Sequence, residues 1–107
     1  MNMYYSPEDF GLTQIAEVDW REEPYEFCLT VLWRDGASKF YVGSDSGCSC
    51  PRPFEDYRSA EDLAPVRDLG DLIRALESAE ATHYIHGDQP AKRAALVSAY
   101  QQARSAV

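Results

Sequence analysis

The chain has 107 residues, 18 acidic and 10 basic, and a formal charge of -8. That length allows one domain spanning 1–107. The 45% hydrophobic content excludes a disordered acidic tail, and the acidity excludes direct nucleic-acid binding, which needs clustered Lys and Arg.

The first residues, Met1 to Tyr5, are neither basic nor followed by an apolar core, so they do not form a signal peptide. No run reaches the ~18 apolar residues of a membrane span. Ser6-Pro7-Glu8-Asp9 starts a short helix: a capping hydroxyl, a proline suited to the first position, and acids at the positive end of the dipole. Gly11 ends it after about one turn.

Residues 14–21 predict a strand with Ala16, Val18 and Trp20 on one face. Over 25–34, Tyr25, Phe27, Leu29, Val31 and Trp33 alternate with Glu26, Cys28, Thr30, Leu32 and Arg34. This predicts a half-buried strand whose second face, carrying Cys28 and Leu32, is partly covered too. Asp35-Gly36 marks a hairpin turn, with Gly36 expected to supply positive φ. A partner strand follows over 39–44, with Phe40 and Val42 joining the Leu29–Trp33 face in the core.

The stretch 43–58 holds two Gly, two Pro and several Ser and fits no period. It is a loop longer than the usual ~4–6 residues, and long loops often carry function. Ser59-Ala60-Glu61-Asp62 resembles a capping arrangement for a short helix ended by Pro65. Asp68 caps a second helix with a stripe of Leu69, Leu72, Ile73, Leu76 and Ala79. Gly87 stops it, and Asp88 with Pro90 begins a last helix buried through Leu96, Val97, Tyr100 and Ala103. The expected fold is α+β: a three-stranded antiparallel sheet (about 14–21, 25–34, 39–44), then two or three C-terminal helices packed on one face.

Charge is unevenly distributed. Residues 1–26 carry net -6, 27–60 are neutral, 61–88 carry -5, and 89–107 carry +3 through Lys92, Arg93 and Arg104. Such blocks read first as solvated surface, with an acidic face that imitates nucleic acid and inhibits a DNA-binding enzyme as the alternative.

Two constellations could hold chemistry. Cys48 and Cys50 in the loop, with His83 and His86 nearer the C-terminus, supply four ligands of two types, thiolate and imidazole, that zinc accepts. Their Cys-x-Cys and His-x₂-His spacings are tighter than usual finger spacings. No nucleophile elbow, P-loop or dinucleotide fingerprint is present, so no enzyme and no cofactor are expected, with a zinc module as the minor alternative. The odd count of three Cys fits a reducing cytoplasm. The second constellation is Arg52-Pro53-Phe54 with Asp45. Proline stiffening lowers the entropy cost of docking, and Arg and aromatic side chains anchor interfaces. Alternatively, Phe54 simply plugs the core.

The run Leu32-Trp33-Arg34-Asp35-Gly36, then Phe40-Tyr41-Val42, then Asp45-Ser46-Gly47-Cys48-Ser49-Cys50-Pro51-Arg52-Pro53-Phe54-Glu55, resembles a family of small accessory proteins of tailed phages that infect actinobacteria. In that family a short strand pair leads into a Gly-Cys-Ser-Cys-Pro-x-Pro-Phe-Glu loop. The resemblance covers about residues 25–76. It implies a phage origin, a place in the host cytoplasm and a non-structural role, and it assigns no role to Cys48, Cys50 or Phe54. The resulting expectation is a non-enzymatic protein that binds a host or phage protein through the 45–58 loop, without direct nucleic-acid or membrane contact. Its oligomeric state is left open.

Overall fold

A computed structural model of the chain describes residues 2–20, 26–48, 54, 56–82 and 90–105. Four strands form one antiparallel sheet in sequential order: β1 (Leu12–Asp19), β2 (Glu26–Asp35), β3 (Phe40–Cys48) and β4 (Ala64–Val66). Two helices follow, α1 (Leu69–Thr82) and α2 (Pro90–Ser105). No described helix is long and apolar enough to cross a membrane. The α+β class and antiparallel meander agree with the pattern in the sequence, but the sheet has four strands rather than three. The extra one, β4, has three residues with Pro65 at its centre, too short and too proline-bearing to carry a strand signal.

The hairpin after β2 sets the parity of the whole sheet. Arg34 pairs with Phe40 and Leu32 with Val42, so three residues, 36–38, form the turn. Gly36 does not take a left-handed backbone; Ser38 does, at φ 65°. The Asp35 carboxylate compensates by accepting the Ala37 and Lys39 N–H groups, each at 2.9 Å. This register puts Phe40 and Val42 on the face of Leu32, opposite Leu29, Val31 and Trp33. The sequence expectation had joined these two sets in one core; a three-residue turn separates them.

The sheet therefore has a core on each side. On one face, Leu32, Phe40, Val42, Val66, Val18 and Trp20 meet Leu72 and Leu76 of α1 and Leu96 and Tyr100 of α2. Thr30 is buried on this face, accepting a hydrogen bond from Trp20 Nε1 at 2.8 Å and bonding the Ser44 hydroxyl at 2.7 Å. Lys92 Nζ reaches the Asp19 carbonyl at 2.7 Å and ties α2 to the end of β1. On the other face, Leu29, Val31 and Trp33 pack with Met3, Leu12, Phe54 and Leu63. Leu12 and Val18 have the same parity but serve different cores. A bulge between Gln14 and Ala16 inserts Ile15 and flips the face that the rest of β1 presents.

Capping agrees with the sequence at Asp68 but not at Ser6, whose side chain makes no capping bond to the single turn Pro7–Phe10. Asp68 Oδ1 accepts the Asp71 N–H at 2.9 Å, while Asp71 accepts the Arg67 N–H at 2.9 Å and pairs with Arg67 and Arg74. Those bonds, the Arg67 N–H first, hold the Asp71 carboxyl down at about 2. Asp62 accepts the Arg58 and Ser59 N–H groups, but the helix there is a single turn, Ala60–Asp62. Ile73, expected in the α1 stripe, is 37% exposed.

Candidate functional site

The second core is capped by the segment that follows β3, and Phe54 is its keystone. Phe54 is fully buried, edge-on to Trp33 at 5.2 Å and to Tyr57 at 5.0 Å, and stacked on Tyr4 at 6.1 Å. Its backbone is left-handed, φ 60°, which is costly for an aromatic residue. Three bonds hold it there. Asp45 Oδ2 accepts the Phe54 N–H at 2.8 Å, the Phe54 carbonyl accepts the Tyr57 N–H at 3.1 Å, and Tyr57 Oη donates to the Ser44 carbonyl at 3.0 Å. Gly43 makes the approach possible. A Cβ there would stand 2.6 Å from Leu63 Cδ2 and 3.2 Å from Phe54 Cε1.

Phe54 is thus a core plug and not an exposed anchor, which corrects its place among the candidate contact residues. A large aromatic ring on a short tether above an apolar sheet gains more by burial than by waiting for a partner. Asp45 is likewise spent on the Phe54 N–H. Arg52 and Pro53, the other two candidates, lie outside the described residues. They fall inside a segment with both ends fastened, Asp45 on one side and Phe54 on the other.

The plug also reaches the N-terminal segment. Tyr4 lies on Phe54, donates its hydroxyl to Glu17 Oε2 at 2.6 Å, and supports Tyr5, whose ring stands edge-on at 5.2 Å. Burial and then the Glu17 carboxylate push the Tyr4 phenol well above its usual value. Tyr5 is 61% exposed, the most exposed large hydrophobic side chain among the described residues. The sequence contained it, but a Tyr-Tyr pair before a proline shows no period that would single it out.

The chain belongs to the DUF7574 family. That family's model, described as a domain of unknown function, matches residues 1–106, so both cores and both helices lie within it. No curated protein matches the chain, and no solved structure matches it.

The zinc constellation is not assembled within the described residues. Cys50, His83 and His86 lie outside them, and of Cys48 only the backbone is described, pairing with Glu26 at the end of β3. Among the described residues no group of three or more His, Cys, Asp or Glu is placed to hold a metal ion. Cys28 is a half-buried free thiol. Burial, with Asp19 and Asp45 nearby, raises its pKa, which disfavours the thiolate a nucleophile needs.

Proposed function

We propose that the protein is a non-enzymatic binding module, an accessory protein of a tailed phage of actinobacteria. In this reading it engages a host or phage protein in the host cytoplasm. The contact is the segment between Asp45 and Phe54, Arg52 included, together with Tyr5. The observation that carries this reading is the anchoring of Phe54. Its burial and the Asp45 bond fix both ends of the segment to the sheet, and the Tyr4 stack sets exposed Tyr5 beside the same anchor. Fixing the ends in advance lowers the entropy lost on docking, and tyrosine and arginine are residue types enriched at interface centres.

A photo-crosslinking side chain placed at position 52 or 5 tests this in actinobacterial cells expressing the protein. The expectation is one shared partner from both positions, absent when the probe replaces exposed Gln102 on α2, and lost when Arg52→Ala and Tyr5→Ala are combined in a protein that still melts normally. Equal capture from position 102, or undiminished capture by the double variant, would remove this surface from consideration.

A further inference from the structure

The outer edge of β1 is a second surface. β1 has β2 on one side and, among the described residues, no strand on the other. Its unpaired groups follow from register. The Asp35 N–H bonds the Lys39 carbonyl at 2.9 Å, and the Trp20 N–H bonds the Cys28 carbonyl at 2.7 Å. Odd residues of β2 therefore exchange hydrogen bonds with β3, and even residues with β1. Leu12, Gln14, Glu17 and Asp19 pair with the odd residues Asp35, Trp33, Val31 and Leu29, so their N–H and C=O groups turn outward. Lys92 Nζ, on the Asp19 carbonyl, shows that direction. Gln14 and Glu17 are exposed, and among the described residues nothing bonds their outward backbone groups.

Two devices that commonly blunt an edge do not blunt this one. The bulge adds Ile15, yet the outward residues still stand opposite every second residue of β2, so their row stays regular. The Glu17 carboxylate is turned to the Tyr4 hydroxyl over the second core, not across the edge. Nor does α2 wall the edge off. Ala95 and Ala99, one and two turns on from Lys92, are both small.

Charge selects the occupant. The row is neutral at Leu12 and Gln14 and acidic at Glu17 and Asp19. A second copy laid antiparallel sets Gln14 against the partner's Glu17 and Asp19 against the partner's Leu12, so each acidic half meets a neutral half. It also brings Lys92, held at Asp19, to the end of the partner's β1 that follows its exposed acidic turn, Glu8 and Asp9 in this chain. A parallel copy would face acid with acid, which is destabilising. We propose that the chain forms a two-fold dimer through antiparallel β1–β1 pairing, one sheet running through both copies, with the axis between Ile15 and Ala16. Closed two-fold dimers are the commonest assemblies of identical chains.

Sedimentation equilibrium of the full chain up to ~0.5 mM should show a reversible monomer–dimer equilibrium. Gln14→Pro deletes an outward N–H and leaves the β2 ladder intact, a substitution edge strands tolerate. It removes one bond from each central pair and should weaken the dimer about tenfold or more. Its melting temperature shows whether it remains folded. If it does not, cysteine pairs decide. Opposed residues of a hydrogen-bonded pair stand ~5.5 Å apart, within disulfide reach. Gln14→Cys mixed with Glu17→Cys should therefore cross-link on oxidation, while neither should cross-link with itself beyond a wild-type blank for the native thiols. A chain that stays monomeric, a folded proline variant that dimerises as tightly, or a mixture that cross-links no more than its components would each overturn the proposal.

Discussion

Replacing Phe54 with alanine empties the centre of the second core while leaving its backbone bonds in place. The ring is fully buried and touches Trp33, Tyr57 and Tyr4. A buried Phe→Ala change costs about 3–5 kcal/mol, made up of lost transfer energy and a cavity that closes only in part. At about 2.1 cal/mol/K of unfolding entropy per residue, each kcal/mol moves the midpoint of a chain this long by ~4–5 °C. Thermal melting followed by circular dichroism should therefore fall by about 15–20 °C. The left-handed backbone adds a second, opposed signature. Glycine ordinarily costs ~0.5–1 kcal/mol more than alanine in regular structure, but at φ 60° it is relieved of ~1–2 kcal/mol of steric strain. Phe54→Gly should thus be at least as stable as Phe54→Ala, despite the smaller side chain. A loss below ~1 kcal/mol for Phe54→Ala would refute the burial argument. A glycine variant clearly less stable than the alanine one would refute the backbone argument.

Gly43→Ala should cost about 1–3 kcal/mol through overpacking against Leu63 and Phe54, and Leu63→Val in the same chain should recover part of it in urea unfolding. Thr30→Val keeps the shape but removes the acceptor of Trp20 Nε1 and the partner of Ser44, for an expected loss of about 1–3 kcal/mol; an unchanged midpoint would show that these bonds contribute nothing net. The pH profile of the melting temperature should be a plateau with two falling limbs. Asp35 and Asp71 are depressed chiefly by backbone N–H bonds, Asp71 to about 2. The stability they contribute is present above the unfolded value of ~3.9 and is lost as pH falls toward their folded values. Tyr41 and Tyr57 are raised mainly by burial, so their contribution is full below ~10 and is lost as pH climbs through their folded values. Asp71→Asn should flatten the acid limb, and an acid limb equally steep in that variant would locate the effect elsewhere.

Local signals in the sequence carried most of the element order. The strand alternation, described from Glu26 on, the Asp68 cap and the Leu72–Leu76–Ala79 stripe each depend on neighbours within a few residues, and each is present among the described residues. What escaped depends on counting residues across a turn or a bulge. One residue more in the 36–38 turn, or one fewer at Ile15, exchanges the two faces, and no composition rule at those positions records the difference. The 61–88 acidic block has a comparable explanation. Asp62, Asp68 and Asp71 all accept backbone N–H groups, so part of the charge that suggested a partner serves helix starts. The candidate contact, expected as a loop over 45–58, begins instead as strand, since β3 runs on through Cys48 in register with β2, and residues 49–53 lie outside the described residues. The Pro-Arg-Pro-Phe string identifies an aromatic residue near prolines, while its burial is decided by Gly43, Trp33 and Tyr4, distant in sequence.

Five consecutive side chains of β2, Leu29 to Trp33, are all at least 95% buried, odd positions in one core and even positions in the other. In a one-sided sheet every second position can drift through neutral substitutions. Here no such refuge exists along the central strand. Relatives of this chain would therefore show a continuous invariant-sized block at these positions, with change confined to the rims of the two cores. Any new surface in this family must arise at the outer layers, in the helices or the connections, since the middle layer has no free face from which to evolve one.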